Sequence, residues 1–158
     1  MVKLNRRVFL KGILASALAR LAGAAVLVGP LRAFAAEWPR DAYSAKTVDE
    51  ALKNLYGTNA VATSSEVKIR APLQAENGAV VPVAVSTTLP DAQAISIIVD
   101  KNPVPLVAHV NLTPDAVPFF GTNIKMASTS DVHFVVRAGG KLYGVKQNIK
   151  VTVGGCGG

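Results

Sequence analysis

Apolar and polar residues alternate through most of the chain beyond residue 65, and this period of two is typical of strands with one buried face. In residues 131–138, for example, Val132, Phe134 and Val136 fall on the same side. Short strands separated by regular turn signals indicate an all-β, mainly antiparallel, immunoglobulin-like β-sandwich. About seven strands are predicted, over residues 66–70, 79–86, 94–99, 106–112, 123–128 and 131–138, with a terminal strand from Leu142 to Val153.

Prolines and glycines divide these strands. Pro82 interrupts a nearly continuous β-branched run, so we expect it at a sheet edge or a bulge. The Gly139-Gly140 pair predicts a tight hairpin turn before the terminal strand. Residues 113–122 contain two prolines and are predicted to form a crossing loop.

One helix is predicted, over residues 48–56. Thr47 and Glu50 have the spacing of a capping box before it, and Gly57 supplies a stop after it. The preceding segment, residues 36–46, is predicted to be irregular because Trp38 stands before a proline. Residues 36–153 are therefore expected to form one β-sandwich domain with a short N-terminal helix.

The two histidines are candidate chemical groups on strands. Leu106, Ala108 and Val110 should share one buried strand face, with His109 on the other face, and His133 lies on the polar face of its own strand. A catalytic role for a histidine requires a base, a nucleophile and an orienting group in defined geometry. One of them could lie near Cys156 and act as its base, but without such a motif we expect both histidines to be simply exposed.

Residues 1–35 have the order of an export signal, with a basic start, an apolar stretch and a small-residue cleavage site at 33–35. The Arg6-Arg7 pair, followed by Val, Phe and Leu, matches the twin-arginine type. Arg20 interrupts the apolar stretch and leaves it shorter than the roughly 20 residues that span a bilayer. These features predict a periplasmic protein, exported by the twin-arginine pathway, with no membrane association after cleavage.

The leader also accounts for most of the formal net charge of +7. Six of the 17 Lys and Arg residues lie within residues 1–35, whereas all 10 acidic residues follow, which leaves a net charge of +1 beyond the leader. This charge does not favour nucleic acid as a partner. The remaining chain has the size of a single domain.

The single cysteine of the chain lies in a glycine-rich tail. Cys156 is flanked by two glycine pairs: Gly154, Gly155, Gly157 and Gly158. Because glycine lacks a Cβ and samples both signs of φ, residues 154–158 are predicted to be a flexible arm after a rigid strand. From Val153 the sulfur could reach roughly 10–13 Å. An unpaired cysteine in an exported protein indicates an intermolecular bond or a reactive thiol.

A catalytic cysteine is normally held in a pocket beside a base, and nothing in this tail would preorganise Cys156. The arm is therefore suited to presenting a thiol to other proteins, which predicts a carrier and not an enzyme. The alternative is an exported structural or interaction sandwich that cross-links through an intermolecular Cys156 disulfide. A metal chaperone using Cys156, His109 and His133 lacks clustered ligands, and Met126 is expected in the core, so no metal or cofactor is predicted.

The tail, residues 151–158, closely resembles the carboxy-terminal signature of the SoxY family, the carriers of periplasmic thiosulfate oxidation. Residues 115–122 and the region around Trp38 do not match the pattern. The resemblance extends through residues 75–83, 101–106, 112–114, 124–127, 129–132 and 138–143.

This resemblance implies a covalent carrier of sulfur intermediates, with Cys156 as the attachment point. A SoxAX cytochrome would join thiosulfate oxidatively to the thiol, giving an S-thiosulfonate. SoxB would hydrolyse off sulfate, leaving a persulfide, and SoxCD, where present, would oxidise the remaining sulfur. The resemblance also implies a heterodimer with a SoxZ-like subunit, for which the outer face of residues 80–85 or of the helix at 48–56 is the expected contact.

Overall fold

The computed structural model describes residues 38–152. The predicted export signal at 1–35 and the predicted arm at 154–158, including Cys156, lie outside the described residues. A compact unit begins at Pro39, and it contains the helices and strands described below.

The predicted helix is confirmed as α2 (Val48–Tyr56), which follows a shorter helix, α1 (Arg40–Ser44). The Thr47 hydroxyl accepts a hydrogen bond from the Glu50 N–H at 3.1 Å, which satisfies a donor of the first turn. At the other end Gly57 adopts φ 76°, a left-handed conformation that favours glycine, and its N–H donates to the Lys53 carbonyl at 2.8 Å.

The expectation of an irregular segment over residues 36–46 was wrong, because α1 occupies part of it. This helix begins directly after Pro39, whose carbonyl accepts from the Tyr43 N–H at 3.2 Å. Its buried residue is Ala42, and Ala45 just after the helix is also buried. Alanines give little apolar periodicity, so a single turn held by small residues could not be recognised from the pattern.

Within residues 38–152, nine strands form two sheets, and the predicted β-sandwich is confirmed. The larger sheet has the order β1-β9-β8-β5-β6, with β3 beside another part of β9, and the smaller sheet has the order β2-β4-β7. Most of the pairs are antiparallel, but β1 and β3 run parallel to β9. The strands are β1 (Val61–Thr63), β2 (Val67–Arg70), β3 (Gln74–Ala75), β4 (Val81–Thr87), β5 (Ala92–Val99), β6 (Leu106–Asn111), β7 (Phe119–Ile124), β8 (Ser130–Ala138) and β9 (Lys141–Val151).

The main core lies between the sheets and follows the predicted alternation. Val81, Val83 and Val85 of β4 face Ile95 and Phe134 across the sandwich, and all five are buried. Fully burying an aliphatic or aromatic side chain of this kind contributes about 1.5–3 kcal/mol. A second apolar cluster, formed by α1, α2 and the outer face of the larger sheet, includes Leu52, Ile98 and Leu142 among its buried residues.

Pro82 lies at a local sheet edge, as predicted. Although β4 is the middle strand of its sheet, its pairing with β2 ends at the Arg70–Ala84 pair, and Pro82 lies beyond that point. On its other side Pro82 is paired with Asn123 of β7. The missing N–H of proline therefore interrupts no ladder with β2.

The predicted strand over 123–128 and the predicted loop over 113–122 had the wrong boundary, because β7 spans Phe119–Ile124. The strand begins immediately after Pro118. Met126 is buried in the main core as expected, but it follows the strand, and its N–H donates to the Gly78 carbonyl at 2.7 Å. Alternation therefore continues past the end of the strand.

A β-bulge corrects the predicted face of β6. Ile97 pairs with Ala108 but Ile98 pairs with Leu106, so one residue of β6 is unmatched. Leu106 consequently packs in the helix-covered cluster, whereas Ala108 packs against the main core. The three residues predicted to share a face are divided between the two sides of the sheet.

His109 is not simply exposed, which corrects the prediction for this residue. Its Nδ1 lies 2.9 Å from the hydroxyl of Ser96, a residue with no exposed surface, and the Tyr56 hydroxyl lies 2.6 Å from the same oxygen. The Tyr56 and His109 rings meet edge-on at 6.0 Å, and the Arg137 guanidinium lies 5.9 Å from the Tyr56 ring centre. This polar cluster joins the end of α2 to the larger sheet.

The stability of the protein should depend on the protonation of His109. Burial lowers the pKa of His109 below 6.5, and its hydrogen bond with Asn111 opposes this only in part. Since the folded protein binds this proton less tightly than the unfolded chain, the free energy of unfolding should fall as the pH drops below 6.5. The variant His109→Gln should reduce this pH dependence, as measured by urea denaturation between about pH 5 and 8.

His133→Gln is the matched control, because it removes the other histidine and leaves the Tyr56–Ser96–His109 cluster intact. An unchanged pH dependence in His109→Gln would show that His109 does not carry the effect.

Candidate functional site

The site lies at the carboxyl end of β9, the longest strand among the described residues. This strand pairs with β8 along its length and leads directly toward the predicted arm. Cys156 and its flanking glycines, Gly154, Gly155, Gly157 and Gly158, lie outside the described residues. The described part of the site is the root of the arm, which consists of the last residues of β9, Thr152 and the groups that hold them.

Hydrogen bonds from two different segments hold the end of β9. The Val151 N–H donates to the Thr129 hydroxyl oxygen at 2.9 Å, and that hydroxyl lies 3.4 Å from the Val151 carbonyl, to which it donates. On the opposite side, the Thr152 N–H donates to the Ala75 carbonyl at 3.0 Å. Because these bonds cannot all form if the strand shifts, the backbone is fixed as far as Thr152.

A groove of about 490 Å³ lies beside this root. Polar and apolar groups both contribute to its walls, and Val151 and Thr152 form part of it. The other lining residues are Glu76, Asn77, Gly78, Ala79, Met126 and Ala127. The groove therefore lies within a few residues of the predicted arm.

Gly78 explains how the segments around the groove approach one another so closely. A Cβ at this position would lie 2.4 Å from the Met126 carbonyl oxygen and 3.0 Å from a methyl group of Val151. Any side chain there would have to displace the backbone of residue 126. Glycine is thus required by contact, not by its φ angle.

The variant Gly78→Val should loosen the arm root. The displaced backbone should lower the free energy of unfolding by about 1–3 kcal/mol, as overpacking usually does. Amide hydrogen exchange should also become faster at Val151 and Thr152, because their segment packs directly against Gly78. Ala79→Val is the matched control, since Ala79 is exposed in the same turn and should change stability by less than about 0.5 kcal/mol. Equal exchange rates in wild type and Gly78→Val would contradict the proposed contact.

A side-chain amide connects a third segment to the same region. Asn102 donates to the Lys125 carbonyl at 2.7 Å and accepts from the Ala127 N–H at 2.9 Å. Segments within 75–83, 101–106, 124–127 and 129–132, which carry much of the resemblance stated above, are thereby gathered near the end of β9. Sequence reasoning identified these segments but did not bring them together at the end of one strand.

His133 belongs to a different surface. Its Nε2 lies 2.7 Å from a carboxylate oxygen of Asp100, so the expectation of simple exposure is wrong here too. On a neighbouring part of the sheet, hydrogen bonds from Asn148 and then Lys146 hold the pKa of Asp131 below its usual range. This polar surface borders a second groove, of about 480 Å³, which is lined by Val61, Thr63, His133, Val135, Gly144, Val145 and Lys146.

The structure does not bring the two candidate histidines together. His109 is on β6 and His133 is on β8, with β5 between them. Within residues 38–152, no group of three or more His, Cys, Asp or Glu side chains could hold a metal ion. In the same part of the chain, no helix is long and apolar enough to cross a membrane.

Known proteins match this chain over more than half of its length. A family model described as "Sulfur oxidation protein SoxY" matches residues 52–156, and so extends to Cys156. Among solved structures, the chain is similar to the sulfur carrier protein SoxY from Chlorobium limicola f thiosulfatophilum. The sequence identity is 39%, the match covers 72% of this chain and 99% of that chain, and the TM-score is 0.62.

A second solved structure shows a likeness of fold alone. Superoxide reductase (neelaredoxin) from Ignicoccus hospitalis is 16% identical, covers 58% of this chain and 95% of its own, and has a TM-score of 0.52. No match was found among curated protein sequences.

Proposed function

Because the chain belongs to the SoxY family of sulfur oxidation proteins, we propose that it carries sulfur intermediates covalently on the thiol of Cys156. The observation that supports this most directly is the fixed end of β9. Hydrogen bonds hold the backbone at Val151 and Thr152, and the sequence then continues through glycines to the only cysteine. A fixed root followed by a thin glycine arm allows one thiol to enter several different active sites.

The loading reaction forms one S–S bond. The Cys156 thiolate and the outer sulfur of thiosulfate join, and the pair loses two electrons to an oxidising cytochrome of the SoxAX type. Water then attacks the terminal sulfonate, which leaves as sulfate in a reaction of the SoxB type, and a persulfide remains on Cys156. In each step the partner supplies the catalytic groups, and this chain supplies the reacting sulfur and its placement.

The Tyr56–Ser96–His109 cluster supports the proposal that the partners, and not this chain, supply the catalytic groups. Ser96 and His109 are within hydrogen-bond distance, as a nucleophile and base would be, but Ser96 has no exposed surface. A substrate could not reach its hydroxyl without undocking α2, whose Tyr56 also contacts that oxygen. This cluster stabilises the fold, which agrees with a non-catalytic carrier subunit.

Location and partners follow from the same proposal. The leader at 1–35 would direct the chain to the periplasm by the twin-arginine pathway, where the partner enzymes would also be found. A SoxZ-like subunit would form a heterodimer with it, and SoxAX, SoxB and SoxCD would dock in turn at the arm. No resident cofactor or metal is required of this chain.

Intact mass spectrometry of the protein purified from periplasm tests the proposal. Under non-reducing conditions we expect a chain starting at Ala36 with added sulfur atoms or thiosulfate on Cys156, and loss of these additions after a thiol reductant. A chain that shows only unmodified thiol and disulfide dimer, even after incubation with thiosulfate and an oxidising extract, would contradict it.

A further inference from the structure

We propose that the outer face of the β2-β4-β7 sheet is the docking surface for a second protein subunit that presents a flat face with acidic residues. This inference rests on the proposed function, because it identifies where the partner subunit of the carrier binds. The surface consists of the side chains that these three strands direct away from the core, and it is called the outer face below.

The centre of the outer face is built from small residues. Alternation buries Val81, Val83 and Val85 of β4, which leaves Pro82, Ala84 and Ser86 on the outer side. On β7, Gly121 pairs with Ala84 and Asn123 pairs with Pro82. With so little side-chain volume above the strands, the backbone of another flat surface can approach closely, as one sheet packs on another about 10 Å away.

Phe119 supplies an apolar anchor at one end of this centre. It pairs with Ser86 and is 57% exposed, an unusual state for an aromatic residue of a strand. The tip of its ring lies close to Gly121, because a Cβ added at Gly121 would be 3.2 Å from it. Val117, which is 80% exposed, extends the apolar area beyond the strand.

The edges of the outer face carry positive charge. Lys68 and Arg70 extend outward from β2, and Lys125 follows β7. Within residues 38–152, no ion pair joins any of these three cations to a carboxylate. The nearby Glu66 side chain accepts a hydrogen bond from Thr88. A second copy of this chain would oppose cations with cations, whereas an acidic partner would complement them.

The chain also prevents docking by strand addition at this place. The pairing of β2 with β4 ends at the Arg70–Ala84 pair, which leaves the edge of β4 at Pro82 without a neighbouring strand. Proline has no N–H to donate to an added strand. The gap between the two chain segments is a mainly apolar groove of about 390 Å³, lined by Arg70, Ala71, Pro72, Pro82, Val83 and Ala84. A partner would therefore pack on the face, and the groove can accept one of its apolar side chains, as anchor pockets in interfaces do.

The outer face is continuous with the arm root along the chain. Gly78 and Ala79 line the groove beside Thr152, and β4 begins two residues later at Val81. A subunit docked over Pro82 and Ala84 would thus lie beside the emerging arm. Such a partner could shield the cargo or orient the arm toward an enzyme without contributing a reactive group.

Binding to the SoxZ-like subunit of the same cells provides the test. Ala84→Arg places a long cation at the centre of the outer face and should weaken binding on the order of 100-fold, measured by calorimetry and gel filtration. Lys68→Glu with Arg70→Glu should weaken it at least about tenfold while changing only exposed charges. Ala62→Arg, on exposed β1 of the other sheet, is the matched control and should bind normally. Thermal melting of each variant establishes that it is folded.

Each outcome decides the proposal. If folded Ala84→Arg and the double charge-reversal variant both bind normally, the outer face is not the docking surface, and the carrier function is unaffected. Self-association of this chain that Ala84→Arg abolishes, or flotation with anionic vesicles that depends on Phe119, would replace the partner by a second copy or a membrane. Failure of the wild-type chain to bind the SoxZ-like subunit would instead remove the heterodimer from the proposed function, and the docking surface with it.

Discussion

Replacing Cys156 with alanine is expected to reduce thiosulfate-dependent electron transfer in a reconstituted system to the level seen without this chain. The chain has a single cysteine, so no other side chain can form the S–S bond that holds thiosulfate. The fold should be unaffected, because the substitution lies beyond the hydrogen bond from the Thr152 N–H, which holds the residue after β9. The measurement is cytochrome reduction by thiosulfate, with thermal melting of wild type and variant alongside.

A second variant separates the thiol from the arm that carries it. Cys156→Ala combined with Ser128→Cys restores one exposed thiol, but it places that thiol near the anchored end of the sandwich and not on glycines. We expect this double variant to react with a thiol reagent and yet to support no turnover. Turnover by Cys156→Ala itself would refute the carrier function, and turnover by the double variant alone would show that any exposed thiol is sufficient.

Short sequence patterns correctly predicted the elements whose formation depends on neighbouring residues. The α2 helix formed where Thr47, Glu50 and Gly57 indicated, because a cap acts on residues three or four positions away. The glycines at 139 and 140 both have positive φ, 54° and 74°, and they form the predicted turn between β8 and β9. Strand alternation likewise identified Val132, Phe134 and Val136 as the buried side of β8, since burial of one face is the property that generates the pattern.

The wrong or missing predictions concern features that depend on contacts with distant parts of the chain. β1 and β3 have three and two residues, too few for a period of two, and they are strands only because β9 lies beside them in parallel. The bulge that moves Leu106 to the other side of the sheet depends on its pairing with β5. His109 is half-buried because α2, more than 50 residues earlier in the chain, covers it with Tyr56.

The candidate site also has one part that the sequence indicates and another part that only the fold reveals. Composition alone makes Cys156 the proposed attachment point, since a single cysteine between glycines is visible without a structure. The hydrogen bonds that hold the arm root could not be predicted, because Thr129 lies 22 residues from Val151 and Ala75 lies 77 residues from Thr152. Their side chains and carbonyls are ordinary until the fold brings them to the end of one strand.

Proline in the arm is expected to slow transfer of cargo between partner enzymes. Gly155→Pro or Gly157→Pro would fix φ near −65°, remove an N–H and add a ring beside the reacting sulfur. Chemical loading of the thiol by a small disulfide reagent should remain, because Cys156 is still present. Enzymatic steps should slow on the order of 10–100-fold, since they require the sulfur to be aligned within narrow clefts and small misplacements reduce rates by such factors.

Alanine at the same positions separates the effect of bulk from that of stiffness. Gly155→Ala and Gly157→Ala add one methyl group but leave the backbone free over its usual negative φ range, so they should slow transfer less than proline does. The rates of sulfate release and cytochrome reduction should be followed separately, because each reports on a different proposed partner enzyme. Equal rates for wild type, alanine and proline variants in both assays would mean that the glycines do not serve arm flexibility, even if Cys156 remains the carrier residue.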